Sequence, residues 1–597
     1  MLIIKKTMEL SNRTTNIIAI ILLGTCFLMA FLSSRNMSLT MDEKAHIPAG
    51  YSYLAFKDYR LNPEHPPLAK DLAAFPLLFL NLNFPTGDKS WTEEVNGQWD
   101  AGEQFIFNSG NDPDQIMFWA RLPMMILLVL FGWFLFFWVR KLGGNKAGLM
   151  ALALFSFSPT FLAHGRLVTT DVAAALGFLI AAYFWTNFLK KPNWKNIFIA
   201  GIILGIALCL KFSLVLLIPS FALTTVIYAL VTKKNSGKKR FKSILVYSGK
   251  AIIAGVIALV VVIWPIYQLH ISNYSAERQM SDIQHIFGDQ LAGKITTKIA
   301  SIPLLRPFGQ YALGLLMATQ RVAGGNTVYF MGKVNNQAWK EYFPMMYLLK
   351  APLALHFITL IVIMLWIAAL KKRRFFKKLF SRFCQWIKEQ PEAFSLLIIF
   401  IVYWFTSITG NLNIGVRHIM PIFPIMYIFV SVGFFRFKNK IKKRGVKIAL
   451  SAFMLILMLW YITASLTAFP YYLSYYNELA GGSKNGYKYA VDSNYDWGQD
   501  LKRLADFVEK NDIQKIKVAY FGGDDAYYRL GDKIEGTDIS GVPGENKGWI
   551  AISATLFQER RAVAMPGFGQ DTTTLDWLNN VKPVDRAGYS IFIYNLP

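Results

Sequence analysis

The chain has little cysteine. Only Cys26, Cys209 and Cys384 occur among 597 residues, two of them in apolar runs and one in a basic loop. Isolated thiols of this kind form neither a disulfide framework nor a thiolate metal site. The sequence therefore excludes a small disulfide-stabilised protein and a cysteine-ligated metal centre.

Negative charge is also scarce. The chain has 37 acidic and 63 basic residues, and its formal net charge is +26. Nucleic-acid binding is one interpretation of such a balance. The basic residues instead concentrate in short loops between apolar runs, most densely at 233–242, 371–382 and 436–447. This is the positive-inside pattern of membrane proteins. We therefore expect contact with membrane lipids and no nucleic-acid partner.

No internal repeat and no phosphate-binding P-loop spacing occurs. The chain is instead rich in apolar residues, which make up 54% of the total and occur in long runs. The first run follows Lys5, Lys6 and Arg13 like a signal peptide, but no cleavage site follows it, so we interpret it as a retained span. The runs predict about eleven membrane spans, at 17–34, 116–139, 147–163, 171–189, 196–210, 212–231, 245–268, 344–370, 393–409, 417–435 and 447–469.

The alternating spans predict a multi-pass protein of the cytoplasmic membrane with its N-terminus inside. Two long outer loops cover 35–115 and 269–343 within a membrane domain of residues 1–469. Residues 470–597 carry one amphipathic helix pattern and several β-rich runs, such as "KIKVAYFG" and "YSIFIYNL". They predict a small α/β domain on the outer side.

Ionisable residues that interrupt the apolar runs fall at the outer ends of the predicted spans. Snorkelling to headgroups explains each one singly, but residues from several helices at one depth predict a polar cavity. The residues are Asp42, Glu43, Arg121, Arg166, Asp171, Lys211, Lys350, Arg417 and His418.

The predicted cavity contains more cations than carboxylates. Arginine and lysine satisfy phosphate oxygens, and a carboxylate beside them suits a general base. This combination outside a membrane predicts a transferase that uses a lipid-linked phosphate donor.

Several motifs together resemble one family in order along nearly the whole chain. They are "MDEKAH", "NPEHPPLAK", "ARLP", "RLVTTD", "GIALCLKFS", "YFPMMYLLKAPL", "NIGVRHIMPIFP" and "DSNYDWGQDL". The chain resembles the bacterial branch of the protein O-mannosyltransferase and aminoarabinose transferase superfamily. The resemblance implies an all-α GT-C membrane fold and a glycosyltransferase that uses polyprenyl-phosphate sugars.

The resemblance also implies residue roles. Asp42 would be the catalytic carboxylate with Glu43 its neighbour, and Arg121, Arg166 and Lys211 would hold the donor phosphate. Glu64 and His65 match a place where relatives often carry Glu-Lys before Pro-Pro, so the histidine puts the role of position 65 in doubt. We interpret Glu64 and His65 as part of a structural turn, and a divalent metal bound near them, as in some relatives, is the alternative.

The expected function is that of an inverting glycosyltransferase acting on an extracytoplasmic acceptor hydroxyl of a protein, lipid or glycan. The alternative is a transporter or flippase for an anionic lipid or sugar, which would also need cations at membrane depth. The absence of a two-fold internal symmetry in loops and span lengths disfavours a transporter.

The segment 492–503 resembles a calcium loop in the spacing of Asp492, Asn494 and Asp496. Trp497 stands where the loop needs glycine, and Arg503 stands where it needs a bidentate glutamate. We therefore expect the start of a helix capped by Asp496 or a neighbour. A second interpretation places Asp492 or Trp497 over the cavity.

Overall fold

The computed structural model describes residues 10–232, 237–371, 379–540 and 546–597. The elements of its first half are helices joined by loops. The helices, in chain order, are α1 (Asn12–Ser34), α2 (Met41–Ala55), α3 (Leu68–Ala74), α4 (Lys89–Thr92), α5 (Gln98–Glu103), α6 (Pro113–Gly143), α7 (Asn145–Ser156), α8 (Pro159–His164), α9 (Asp171–Lys190), α10 (Trp194–Leu208), α11 (Leu217–Thr232), α12 (Gly237–Ile257) and α13 (Trp264–His270).

The second half adds strands to the helices. Its elements up to the last long apolar helix are α14 (Ala276–Phe287), α15 (Leu291–Ala300), α16 (Arg306–Gly324), β1 (Val328–Phe330), β2 (Lys333–Asn335), α17 (Tyr342–Lys350), α18 (Leu353–Lys371), α19 (Leu379–Glu389), α20 (Pro391–Thr409), α21 (Ile422–Lys438) and α22 (Arg444–Ala468). The C-terminal part contains α23 (Leu501–Lys510), β3 (Ile516–Ala519), α24 (Ala526–Leu530), β4 (Ile534–Gly536), β5 (Gly548–Ser553), α25 (Ala554–Glu559), β6 (Val563–Ala564), β7 (Asp585–Ala587) and β8 (Ile591–Leu596).

Seven helices of the described residues are long and apolar enough to cross a membrane, and a bent pair adds an eighth. The bend of 103° lies between Tyr342–Lys350 and Leu353–Ala369, where Pro352 cannot donate a backbone hydrogen bond. The spans expected at 147–163, 196–210 and 417–435 contain shorter helices. The first is broken before Pro159, the second is the 15-residue α10, and the third begins with a 3₁₀ turn at Val416–Ile419.

Helix ends follow from the local sequence. The side chain of Asp112 accepts hydrogen bonds from the backbone N–H groups of Asp114 and Gln115 and so begins α6, with Pro113 in its first turn. Gly144 then ends α6 at a φ of 83° that only glycine adopts without strain. The helices α1, α6, α7 and α21 pack together through buried apolar faces.

The C-terminal part contains a five-stranded sheet in the order β4-β3-β5-β8-β7. Strand β3 pairs parallel with β4 and β5, and β8 pairs antiparallel with β5 and β7. A second sheet joins β1 and β2 to β6, so the region 269–343 and the C-terminal part contribute strands to the same sheet. The expected class, a polytopic helical membrane protein with a small C-terminal α/β domain, is confirmed. The boundary at residue 469 stays a prediction.

Candidate active site

The two carboxylates at the start of α2 have different surroundings. Thr40 precedes the helix, and its backbone N–H donates to Glu43 Oε2 at 3.0 Å, which fixes the first turn. Consecutive helical side chains point in different directions. Glu43 is fully buried, whereas the side chain of Asp42 is 21% exposed.

Glu43 forms a buried bidentate ion pair with Arg121. Arg121 donates from Nε to Oε1 at 2.8 Å and from Nη2 to Oε2 at 2.6 Å. Arg121 also donates to the carbonyl groups of Met37 and Ser38, and the Val168 N–H donates to Glu43 Oε1. Burial alone would raise the pKa of Glu43, but Arg121 holds it below its ordinary value. The pair therefore joins α2, α6 and the turn before α9.

Asp42 belongs to a second group of charges, which we call the ion cluster: Asp42, Asp171, Lys211 and Arg417. Arg417 Nη1 lies 2.6 Å from Asp42 Oδ2 and 3.3 Å from Asp171 Oδ2. Lys211 Nζ lies 2.5 Å from Asp171 Oδ1. Burial alone would raise the pKa of Asp42, but Arg417, and then His46, hold it below its ordinary value. The cluster brings residues of α2, α9 and two helix-connecting turns to one point.

The remaining expected cations do not contact the ion cluster. Lys350 Nζ donates to the carbonyl oxygens of Leu473 and Asn494, and Arg166 Nη1 donates to the carbonyl oxygen of Pro470 at 3.3 Å. Arg121 is neutralised by Glu43. The expected excess of cations around the carboxylates is thus not found in the ion cluster, where two cations balance two carboxylates. Sequence order gives no information on which buried cation meets which acceptor.

His46, one turn after Asp42 on α2, was missed by the sequence argument although it ends the motif "MDEKAH". Its Nδ1 lies 2.9 Å from the Val168 carbonyl oxygen, which only accepts, so Nδ1 carries the proton and Nε2 is an acceptor in the neutral ring. Burial lowers the pKa of His46 despite the charge of Asp42. His65 packs edge-on against it, with ring centroids 5.0 Å apart.

Glu64 and His65 lie in a hydrogen-bonded turn. Glu64 accepts from the side-chain amides of Asn96 and Gln98, at 3.2 and 2.6 Å. Lys70, a second residue that the sequence argument missed, donates from Nζ to the carbonyl oxygen of His65 at 2.8 Å. No group of three or more metal-binding side chains occurs within the described ranges. The two residues alone do not make a metal site, so a metal at Glu64 and His65 stays an untested expectation.

Buried polar atoms without a hydrogen-bond partner lie near the ion cluster in the described part of the chain. They include His164 Nδ1 and His418 Nε2. Both rings interact electrostatically with Asp171 and Arg417. Buried polar groups normally have partners, and exceptions point to a bound molecule or water. These two nitrogens are the atoms beside the ion cluster that a bound polar molecule or water would satisfy.

The C-terminal domain contributes to this site. The Trp497 ring lies 4.3 Å from the guanidinium of Arg417, and Ser493 Oγ accepts from Arg417 Nε at 3.2 Å. The interpretation that Trp497 lies over the site therefore agrees with this placement. Asp496 does not cap α23, because its Oδ2 accepts from the Thr555 N–H and Ser38 Oγ caps the Lys502 N–H instead.

A separate cleft of about 670 Å³ lies between residues 93–100 and 278–285. It contains no residue of the ion cluster, although Asn96 in its wall also donates to Glu64. Its size alone does not make it the reaction site, because the groups with acid–base and anion-binding chemistry converge at Asp42 and Arg417.

Comparison with known proteins agrees with the resemblance of the sequence. Residues 114–264 match the family model described as dolichyl-phosphate-mannose-protein mannosyltransferase, which supports glycosyltransferase activity. No protein of curated function matches the chain.

Solved structures give weaker likenesses. The apo oligosaccharyltransferase of Archaeoglobus fulgidus is 14% identical, with a TM-score of 0.47 over 83% of this chain and 58% of that chain. ArnT of Cupriavidus metallidurans bound to undecaprenyl phosphate is 12% identical, with a TM-score of 0.45 over 96% and 97%. The Pmt1–Pmt2 complex of S. cerevisiae bound to the sugar donor is 15% identical, with a TM-score of 0.34 over 48% and 38%. This chain thus spans little more than half of the archaeal enzyme.

Proposed function

We propose that the chain is an inverting glycosyltransferase that moves a sugar from a polyprenyl-phosphate donor to an acceptor hydroxyl. The observation that carries the proposal is the contact of Asp42, a partly exposed carboxylate, with Arg417 in the ion cluster. Sugar transfer from a phosphate donor needs a base and an anion-binding cation close to each other. The family match over residues 114–264 supports the same activity class.

In the proposed reaction the acceptor oxygen attacks the anomeric carbon as Asp42 takes its proton. The bond between that carbon and the phosphate oxygen breaks, and the lipid phosphate leaves as an anion. Arg417 and Lys211 neutralise this anion, so no acid is needed to protonate it. A single displacement inverts the configuration of the sugar.

The pairing within the ion cluster gives the reaction an order. Before donor binds, Arg417 pairs with Asp42 and Lys211 pairs with Asp171. A donor phosphate at Arg417 competes with Asp42 for the same guanidinium. Asp42 then loses a partner that holds its pKa low and becomes a stronger base. Donor binding thereby prepares the carboxylate for the acceptor.

We place the protein in the cytoplasmic membrane with this site on the extracytoplasmic side. In the topology predicted from the sequence, the densest basic loops lie on the inner side and the residues of the ion cluster lie at the outer ends of the spans, which is the distribution that the positive-inside rule describes. The acceptor is then an extracytoplasmic protein, lipid or glycan.

The decisive experiment is transfer of labelled sugar from a polyprenyl-phosphate donor by the purified protein in detergent, compared with Asp42→Asn. Asparagine cannot accept the proton, so turnover should fall about 10²–10⁴-fold. Asp289→Asn, at an exposed side chain, is the matched control and should keep wild-type turnover. A transporter would transfer no sugar, and normal turnover by Asp42→Asn would exclude this residue as the base.

Lys211→Met tests the anion contact in the same assay. Loss of a charge-assisted bond to a bound phosphate costs about 1.5–3 kcal/mol, so kcat/KM for the donor should fall about ten- to a hundredfold. Met keeps most of the side-chain length. Unchanged donor kinetics would show that Lys211 serves only to neutralise Asp171.

A further inference from the structure

A narrow crevice lies where the chain that leaves α22 meets the turn before α9 and the start of α23. It is lined by Arg166 of that turn, by Pro470 and Tyr471 after α22, and by Asp500 and Arg503 at the start of α23. In the topology predicted from the sequence, α22 ends and α9 begins on the outer side of the membrane. The crevice therefore lies near the depth of the outer lipid headgroups.

Arg166 is a buried cation that pairs with no carboxylate in the described part of the chain. The residue is 1% exposed. Its Nη1 donates to the Pro470 carbonyl oxygen over a long 3.3 Å, and its Nε has no partner among the described residues. The ring of Tyr472 lies 5.5 Å from the guanidinium. A buried charge is costly unless it is paired, and an unpartnered buried polar group points to a bound molecule.

Arg503 brings a second guanidinium to the same crevice. Its Nη1 donates to Asp500 Oδ1, its guanidinium lies 5.0 Å from the centre of the Tyr471 ring, and its side chain is 12% exposed. Asp500 does not neutralise Arg166 as well, because its Oδ2 accepts from the N–H and the hydroxyl of Ser590 at 3.2 and 2.8 Å. The crevice therefore contains two positive charges and one carboxylate that is already paired.

We propose that Arg166 and Arg503 form a second anion-binding site, which takes a phosphate group, either free or in the headgroup of an anionic lipid. Planar guanidinium groups donate paired N–H groups to phosphate oxygens. Because Arg503 is partly exposed, its guanidinium is the group that an entering anion meets first. The bound anion supplies the counter-charge that Arg166 lacks and joins the turn before α9 to α23.

This site is distinct from the proposed donor site at Arg417 and Lys211. Arg166 donates to Pro470, and Arg503 pairs with Asp500, whereas the ion cluster is held together by Asp42 and Asp171. The second site does not depend on sugar transfer. Its test therefore uses binding and stability and stays valid whatever the protein catalyses.

The first measurement is thermal unfolding of the full-length protein in detergent, at constant ionic strength, with chloride replaced stepwise by inorganic phosphate. An anion that binds the folded state raises the melting temperature as its concentration rises. Arg166→Met and Arg503→Gln should each weaken the apparent phosphate affinity about ten- to a hundredfold, since each loses charge-assisted hydrogen bonds to the anion. Without phosphate, Arg166→Met should melt no lower than the wild type, because it removes an uncompensated buried charge.

Two variants control for other phosphate sites. Lys211→Met weakens the ion cluster and should keep the phosphate response of the wild type. Arg586→Gln removes another arginine of the C-terminal part, which donates to the Lys484 carbonyl oxygen at 2.9 Å, and should also keep it. The same series in micelles containing phosphatidylglycerol or phosphatidylcholine identifies the source of the phosphate group. Stabilisation by phosphatidylglycerol alone would assign the site to a lipid headgroup, and stabilisation by inorganic phosphate as well would assign it to free phosphate too.

Three results would overturn the proposal. The first is a melting temperature of the wild type that responds to neither inorganic phosphate nor phosphatidylglycerol. The second is a response that Lys211→Met abolishes and the two arginine variants keep, since the anion would then bind at the ion cluster. The third is an Arg166→Met protein that melts lower without phosphate and still responds like the wild type, which would make Arg166 a packing residue.

Discussion

At the residue scale, Asp42 and Glu43 are adjacent in the chain and have opposite roles in the structure. Glu43 accepts from Arg121, Thr40 and Val168 and has no exposed surface. Asp42 has one strong partner, Arg417, and keeps a fifth of its side chain open. A carboxylate that is saturated with donors has no free lone pair for a substrate proton. Of the two carboxylates, Asp42 therefore fits the proposed role of the base better than Glu43.

Glu43→Gln should lower stability more than it changes chemistry. Removing one partner of a buried ion pair leaves the other charge uncompensated and costs about 3–5 kcal/mol. We expect a clearly lower melting temperature in detergent. The fraction that remains folded should bind donor with a KM near the wild-type value, and Glu43→Gln combined with Arg121→Met should regain part of the loss.

Glu103→Gln is the matched control for this pair. Glu103 pairs with Lys44, which also lies on α2. The side chains of Lys44 and Glu103 are 19% and 26% exposed, whereas that of Glu43 is fully buried. Exposed pairs contribute about 0–1 kcal/mol. If Glu43→Gln melts like Glu103→Gln and instead abolishes turnover, Glu43 takes part in the chemistry.

The sequence predicted the acidic pair and the cations at the span ends, and the structure brings Asp42, Asp171, Lys211 and Arg417 together. The sequence did not predict which of these cations already bind a partner within the protein. In the sequence, Arg121 and Lys350 resemble Lys211, because each is a single charged residue in an apolar run. Their partners lie at Glu43, Leu473 and Asn494, and only tertiary packing brings these groups within reach.

At the element scale, the turn 62–65 before Pro66 is built around one buried ammonium. Lys70 Nζ lies within 2.7–2.9 Å of four oxygens, the Tyr53 hydroxyl, Asn62 O and Oδ1 and His65 O, and its three N–H groups are shared among them. Lys70 is 1% exposed, and burial lowers its pKa to about 7. The motif "NPEHPPLAK" therefore specifies a turn in which the lysine contacts oxygens to which its three prolines, lacking an N–H, cannot donate.

Lys70→Met should loosen this turn. The change keeps the aliphatic volume but leaves several buried oxygens without a donor, at about 1–3 kcal/mol for each unsatisfied group. We expect a fall in melting temperature and partial loss of transfer, since His65 would lose its fixed place against His46. Lys57→Met, at an exposed lysine of the same region, should have neither effect. Equal behaviour of the two variants would show that the turn is held by its prolines alone.

Spans were predicted well where one helix is long and uninterrupted, as in α6 and α22, because nothing but length and apolarity defines them. Prediction was weaker where the helix breaks. The run 344–370 reads as one span, yet Pro352 turns it by 103° and places Lys350 at the bend. A proline in an apolar run marks a break, but the angle depends on packing against neighbouring helices.

At the scale of the whole molecule, the C-terminal domain holds the segment that leads into α2. Backbone N–H groups of Ser38 and Met41 donate to the carbonyl oxygens of Gln499 and Trp497, at 3.1 and 3.2 Å. The Leu39 N–H donates to Asp524 Oδ2 at 2.9 Å. The chain just before Asp42 is thus fixed by residues far away in sequence. The sequence predicted this α/β domain, and one interpretation placed its Trp497 over the cavity, but the contacts that hold residues 38–41 were not predicted.

Asp524→Ala should uncouple the domain from the site. The variant removes the acceptor of the Leu39 N–H and the partner of Arg529 Nε, which lies 2.9 Å from Asp524 Oδ1. An unsatisfied buried N–H costs about 1–3 kcal/mol, and the start of α2 loses one of its fixed points. We expect kcat to fall at least about tenfold, since small displacements of a catalytic group reduce rates strongly.

The control for Asp524→Ala is Asp506→Ala, which removes a hydrogen bond from Asn36 to the same domain at an exposed position, 2.9 Å long. Exposed polar contacts contribute little to stability, so this variant should keep its kcat. Donor KM should change little in either variant, because neither residue contacts the ion cluster. A fall in kcat for Asp524→Ala alone would show that the domain orients Asp42 through the segment 38–41. Equal kcat values in both variants would show that the domain covers the membrane part without orienting Asp42.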